Sequence, residues 1–243
     1  METRSDDVLT IVPARKGSQG LPGKNSRTLL GHPLISWTVS QALADPGSGL
    51  VHVSTDCGSL SKIAKSLGAD VPYVRPEQLA TNTATTMSVI AYAIDYYRSR
   101  GREFSFVVLA EPTTPIRKPG DIGRAVSMLR DSVGRFDSLI TVAPTPNHPD
   151  HVKRIIDGRL VPVTDVEDAW ARRQDLPVMY APYSVAFVSH VGALLNMQTF
   201  YGERCMPLVL DRFQAYEIDD EYDFICVEAV MELALRRGDI EPV

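Results

Sequence analysis

Short apolar runs and longer stretches of helical period take turns along this chain. Leu9–Ala14 is a mostly apolar run of the kind that fills a strand covered on both faces, and it predicts the first strand. Leu34, Ile35, Val39, Ala42 and Leu43 recur at helical spacing and predict a helix over 34–43. Val51–Ser54 reads as the second strand, and Ser59–Leu67 as a helix that Gly68 stops. Pro72–Val74 predicts a short third strand, Met87–Arg100 a helix of several turns, and Phe104–Ala110 another doubly covered strand. Strands alternating with helices imply an α/β fold: a mostly parallel sheet with helices on both faces.

The pattern breaks between residues 144 and 182, where Pro144, Pro146, Pro149, Pro162, Pro177 and Pro182 interrupt it. Two β-like pieces, Val152–Ile156 and Leu160–Val163, predict a hairpin around Asp157-Gly158. This segment reads as an excursion from the sheet and a surface for a second subunit. Val185–Val188 returns as a strand and Tyr216–Ile218 as a last short one. Asp220–Arg237 predicts a closing helix with Phe224, Val227, Val230, Met231 and Leu235 inward. No repeat is evident, so residues 1–243 are expected to form a single domain that carries the 144–182 excursion.

Composition narrows the partners. The formal net charge of −5 over 243 residues disfavours nucleic acid and anionic membrane surfaces, so a basic cluster here is expected to serve a small anion. No stretch approaches the roughly 20 apolar residues of a membrane span, and Met1–Thr10 lacks an apolar signal core. Cys57, Cys205 and Cys226 are scattered and lack metal-ligand spacing. Reduced thiols in a cytoplasmic protein are the expectation, without a zinc site or disulfide framework.

In open α/β sheets ligands bind beyond the carboxyl ends of the strands. Arg15–Asn25, Ser54–Asp56 and Glu111–Arg117 all fall at such ends. In the first, Gly17, Gly20 and Gly23 permit φ > 0 and close backbone approach, and Arg15, Lys16 and Lys24 add charge. Backbone donors beside fixed cations suit a triphosphate. The spacing fits neither the Walker A loop nor the Gly-x-Gly-x-x-Gly turn; a solvated surface loop is the competing reading of the stretch by itself. Near the C-terminus, Glu217-Ile218-Asp219 puts two carboxylates on one side of an extended segment. With phosphate oxygens, such a pair holds Mg²⁺. Asp219 or Asp220 also suits the cap of the closing helix, and both roles can coexist.

The turn Ala14-Arg15-Lys16-Gly17-Ser18-Gln19-Gly20-Leu21-Pro22-Gly23-Lys24-Asn25 resembles the signature of the CMP-acylneuraminate synthetase family. Further blocks of that family follow in order: Val53–Asp56, Arg75-Pro76-Glu77-x-Leu79-Ala80, Pro112–Pro115 with Arg117, His148-Pro149, Arg173-Gln174-x-Leu176-Pro177 and Ile218-Asp219. The collinear order over nearly the whole chain carries the resemblance, since each block by itself is weak. It implies a three-layer, Rossmann-like nucleotidyltransferase that moves CMP from CTP onto an acidic sugar with Mg²⁺, as a homodimer. It further implies nucleotide contacts at Ala14, Arg15, Gly17, Ser18, Lys24, Asn25, Arg75, Thr85 and Thr86. Arg15, Lys24 and Asp219 are implied to be catalytic, and Glu217 and Asp219 to hold the metal. On the acceptor side it implies Glu111, Thr113, His151, Arg173, Gln174, Tyr180 and Tyr183. Arg75-Pro76 also reads as a plain strand exit. Trp170, Tyr180 and Tyr183 suit either an interface or an acceptor wall, and Trp170 also a core.

Departures from the family pattern cluster. Gln19 stands where Lys is usual, Asn82 where Asp is common, and Glu217 replaces the first Asp of Asp-x-Asp. On the acceptor side Glu111 replaces Gln, His151 replaces a Lys, and Ala181-Pro182-Tyr183-Ser184-Val185 replaces an Arg/Lys-x-Asn-Gly-Ala stretch. The acceptor is therefore expected to differ from ordinary N-acetylneuraminic acid, because a site that hydrogen-bonds one substrate rejects mismatched ones. Drift at tolerant positions is the competing explanation. CMP transfer to a phosphonate or phosphate, and a non-catalytic nucleotide-binding role, are the other classes open at this level.

Overall fold

The computed structural model of the protein describes residues 7–17, 20–132, 134–164, 172 and 175–243. The first half of the chain builds β1 (Val8–Pro13), β2 (Thr28–Leu29), β3 (His32–Pro33), α1 (Leu34–Ala44), β4 (Leu50–Ser54), α2 (Gly58–Leu67), α3 (Thr86–Arg98) and β5 (Phe106–Leu109). The second half adds α4 (Asp121–Asp131), β6 (Ser138–Pro144), β7 (Lys153–Ile156), β8 (Arg159–Pro162), β9 (Tyr180–His190), α5 (Val191–Met197), β10 (Cys205–Val209) and α6 (Glu221–Arg237).

Six strands form one sheet in the order β10-β6-β9-β5-β1-β4. β1 pairs in parallel with β4 and β5, and β10 with β6; β9 alone runs antiparallel to its neighbours. Alternation along each strand builds a core on either face. Val8 and Val12 pack with Ile35, Leu60 and Ile122 under α1, α2 and α4. Leu9 and Ile11 pack with Ile90, Ile94 and Leu194 under α3 and α5. The result is three layers, as expected. A third core joins Trp37 of α1 to Phe224, Val227 and Met231 of α6. Each such side chain contributes about 1.5–3 kcal/mol relative to exposure.

Local signals set the ends. Gly68, with φ 104°, closes α2 where no β-carbon is tolerated easily, and the Asp220 carboxylate caps α6 by accepting from the Asp223 N–H. The hairpin β7–β8 turns at Asp157 (φ 49°) and Gly158 (φ 74°), as the Asp-Gly pair predicts.

Two predicted strands do not form. Pro72 has no N–H to give, the Tyr73 ring turns into a cluster with His52, Tyr92 and Tyr96, and Val74 is 73% exposed; pairing stops at a single bridge between His52 and Asp70. Tyr216–Ile218 is extended, and the Ile218 N–H donates to the Thr113 carbonyl (2.8 Å) without building a ladder. Conversely, α4, β6, α5 and β10 fall outside the predicted set. Among the described residues no helix is long and apolar enough to cross a membrane.

Candidate active site

β1, β4 and β5 run the same way, so their carboxyl ends share one edge. β1 has β4 on one side and β5 on the other, which is where an open α/β sheet leaves a crevice. A cavity of about 500 Å³ lies there. It gathers Arg15, Lys24, Asn25, Arg75, Thr85, Thr86, Glu111, Thr113, Glu217 and Asp219, residues up to two hundred positions apart in the chain.

The basic turn forms one wall. Gly23 (φ 68°) leads into a short 3-10 turn that buries Lys24 and Asn25. Gly20 lies so close to the acidic segment that an added β-carbon would sit 2.3 Å from the Asp219 carbonyl oxygen. Lys24 Nζ donates to the Ile218 carbonyl and lies 3.5 Å from the Asp219 carboxylate. Arg15 Nη1 donates to Asn82 Oδ1 (2.6 Å) and the Thr81 carbonyl (3.2 Å), while Asn25 Nδ2 donates to the Arg15 carbonyl (3.2 Å). The Lys16 N–H donates to Asp56 Oδ1 (2.7 Å), tying the turn to the end of β4.

Other walls come from elements far away in sequence. The first turn of α3 reaches the cavity with Thr85 and Thr86; Thr85 Oγ1 accepts from the Ser88 N–H (3.1 Å) as the cap. The positive end of that helix suits an anion. Arg75 is buried, donating from Nε to Ser54 Oγ (3.0 Å) and from Nη2 to the Ser54 carbonyl. Arg117 is also buried. Its guanidinium bonds the carbonyls of Glu111 (2.8 Å) and Val185 (2.8 Å), which fixes Glu111 against β9, and burial lowers its pKa to about 9.

Three carboxylates face this positive surface. Burial raises the Glu111 pKa, with repulsion from Glu217 next. Burial likewise raises Glu217, with repulsion from Asp219 next, and Lys24 opposes both shifts. Glu217 Oε1 also accepts from Thr113 Oγ1 (3.2 Å). Among the described residues no three His, Cys, Asp or Glu side chains are gathered as a metal cluster. Glu217 and Asp219 nevertheless fit Mg²⁺, which commonly takes one or two carboxylates and completes its shell with water and phosphate oxygens.

Other expected contacts lie elsewhere. Ala14 is a core residue whose N–H donates to the Ser54 carbonyl (2.9 Å); Pro13 lines the cavity instead. Gly17 is not among the lining residues, and its φ is not positive. His151 and Tyr180 are exposed, and Tyr183 packs against Ala143, Val185 and Leu210, so none of the three lines the cavity. Ser18, Trp170, Arg173 and Gln174 lie outside the described residues.

A smaller cavity of about 240 Å³ beside Glu111 joins Ser184, from the stretch expected on the acceptor side, to Gln198, Thr199 and Tyr201, to which the sequence did not point. It shares Thr86 and Glu111 with the larger one. Only the packing of β9 and α5 brings these residues here; no local pattern marks the last three.

A family model described as cytidylyltransferase matches residues 9–193. The chain is 32% identical over 228 residues to the CMP-N,N'-diacetyllegionaminic acid synthase of Legionella pneumophila, covering 93% of this chain and 97% of that protein. It is 29% identical to the N-acylneuraminate cytidylyltransferase of Escherichia coli, of which it spans about half (50%). Among solved structures it is similar to a CMP:2-keto-3-deoxy-manno-octonic acid synthetase complexed with CTP, with TM-score 0.67, 16% identity and coverage of 94% and 99% of the two chains. That last likeness speaks for the fold.

Proposed function

The chain belongs to the CMP-acylneuraminate synthetase family of cytidylyltransferases, and on that premise we propose that it transfers CMP from CTP to the anomeric hydroxyl of an acidic, nonulosonic-type sugar. The observation that carries the proposal is one cavity in which Arg15 and Lys24 stand opposite Glu217 and Asp219 at the carboxyl ends of β1 and β5. A triphosphate needs the first pair and its metal the second.

In this reading the acceptor hydroxyl attacks the α-phosphorus and pyrophosphate leaves. Such transfers depend on positioning and on neutralising charge. Arg15 and Lys24 offset the charge that grows on pyrophosphate. Thr85, Thr86 and the first turn of α3 lie by the α-phosphate or sugar, while Asn25 and Arg75 read the cytidine with backbone at Pro13–Ala14 against the base. Glu217 and Asp219 would hold Mg²⁺, which when bound would supply neutralisation of phosphate charge. No side chain is assigned as general base.

The acceptor is proposed to be a modified nonulosonic acid rather than N-acetylneuraminic acid. Glu111 supports this: a carboxylate at the junction of the two cavities favours a hydrogen-bond donor, such as an amine, on the sugar. A homodimer is proposed too, built on the 144–182 excursion, because Ile155 (77% exposed) and Leu160 (73%) leave large apolar side chains in water on β7–β8. Tyr180, 51% exposed, suits that interface as well. The free Cys57, Cys205 and Cys226 are consistent with the cytoplasm.

Pyrophosphate release from CTP and Mg²⁺ across acceptors tests the proposal. Release with a nonulosonic acid is expected, and turnover of N-acetylneuraminic acid at the rate of a typical synthetase would overturn the acceptor assignment. Silence with every sugar, beside activity on a phosphonate, would overturn the sugar class itself.

A further inference from the structure

A line of interacting polar side chains leaves the wall of the larger cavity and runs through the protein to Asp70. Arg75 Nε donates to Ser54 Oγ (3.0 Å). The Tyr73 phenol interacts with the Ser54 side chain, and its oxygen lies 3.0 Å from His52 Nε2. On the other side of the imidazole, Nδ1 lies 3.0 Å from the Tyr97 oxygen, and Tyr97 donates to Asp70 Oδ2 (2.6 Å).

The Asp70 end fixes the direction of the links around His52. A guanidinium can only donate and an ionised carboxylate can only accept. Ser54 Oγ accepts from Arg75 and keeps its own proton available for the Tyr73 oxygen. Working from the other end, Tyr97 gives its proton to Asp70, so its oxygen accepts from Nδ1–H. The Asp70 end therefore demands the neutral Nδ1–H tautomer of His52, whose Nε2 then accepts the Tyr73 proton. His52 is fully buried, and Tyr92 and Tyr96 pack against the Tyr73 ring with centroids 5.1 and 4.7 Å away. Of the six linked side chains, Arg75 alone lines the cavity.

We propose that this chain positions Arg75 before nucleotide arrives, with His52, Tyr73 and Tyr97 as positioning residues for nucleotide recognition. The inference rests on the reading of Arg75 as a nucleotide contact. A guanidinium on a long stem loses rotamer freedom when it binds, and an anchor that holds it beforehand removes that cost from the binding step. Each link also polarises the next, so removing a distant hydroxyl weakens the bond at Ser54.

Nitrogen-15 NMR and CTP titration of the full chain test it, using Tyr73→Phe and Tyr97→Phe, with Tyr92→Phe as the control that keeps the aromatic cluster but touches no link. Three results are expected: a neutral Nδ1–H imidazole at His52 in the unsubstituted protein, faster solvent exchange of the Arg75 Nε–H in both chain variants, and CTP affinity lower by about fivefold in them. Tyr92→Phe should match the unsubstituted protein in exchange and affinity. An Nε2–H or charged His52 at neutral pH would overturn the proposal. So would chain variants whose Arg75 exchange and CTP affinity equal those of Tyr92→Phe, even if their melting temperatures fall, since that pattern marks a merely structural cluster. If the unsubstituted protein shows the tautomer and the exchange response but binds no CTP, the cytidylyltransferase reading falls and the anchoring of Arg75 stands.

Discussion

Gly20 and Gly17 sit three residues apart in one turn and are under different constraints. A methyl group at Gly20 would sit 2.3 Å from the Asp219 carbonyl oxygen, whereas one at Gly17 would meet nothing within 4 Å. Gly20→Ala must therefore push the basic turn away from the acidic segment. A displacement near 1 Å at a reacting centre costs on the order of 10²-fold in rate. We expect Gly20→Ala to lose about that much kcat/KM in a pyrophosphate-release assay, while Gly17→Ala stays near wild type. The sequence marked both glycines alike, as sources of backbone freedom. It could not tell that Gly20 is needed for lack of room, because the crowding atom lies about two hundred residues away. Charge was easier to read: Arg15, Lys24, Glu217 and Asp219 announce themselves by type and spacing, and the structure gathers all four in one cavity. Gln198, Thr199 and Tyr201 are ordinary residues after a helix, and nothing but tertiary packing makes them neighbours of Glu111.

Among the elements, β4 carries an unusual burden for a core strand. His52 is fully buried in it, and burial holds its pKa down to about 4, against weaker opposing attraction from Asp70. Tyr73, Tyr97, Asp70 and Arg75 are the titratable groups that face it. Above pH 6.5 the imidazole is neutral in both folded and unfolded chains. As pH falls from about 6.5 to 4 the unfolded chain takes up a proton that the folded one refuses, so stability declines across that window and levels off below it. The decline is on the order of 3 kcal/mol. His190, also shifted down by burial, acts in the same sense. Urea unfolding at a series of pH values should show the slope, and His52→Gln should flatten it; an unchanged slope would refute the assignment. The strand predicted at Pro72–Val74 fails for a related reason: Tyr73 is committed to this network. Helix α4 was legible in principle though outside the predicted set, with Ile122, Ala125, Val126 and Leu129 buried at helical spacing. β6 was less so, because Ser138 and Thr141 interrupt its apolar run while bonding backbone carbonyls inside the core.

At the scale of the whole molecule, the α/β class and the mostly parallel sheet followed from alternation alone, but the antiparallel β9 did not. A doubly covered strand reads the same in either direction. The hairpin β7–β8 bears Ile155 and Leu160 on its surface, and the double substitution Ile155→Glu with Leu160→Glu should convert a homodimer to monomer in sedimentation velocity while leaving the melting temperature of the sheet domain within a few degrees. An unsubstituted chain that sediments as a monomer would remove the interface assignment. β9 has one more implication. It pairs with β6 through Val142–Pro182, Ala143–Ala181 and Pro144–Tyr180, and the Thr145 N–H donates to the Met179 carbonyl (2.9 Å). The excursion thus departs and returns through a two-stranded stem, its ends side by side. Such a stem makes a grafting point: because its two strands already meet in register, a short turn or another protein's segment has a ready place to join there.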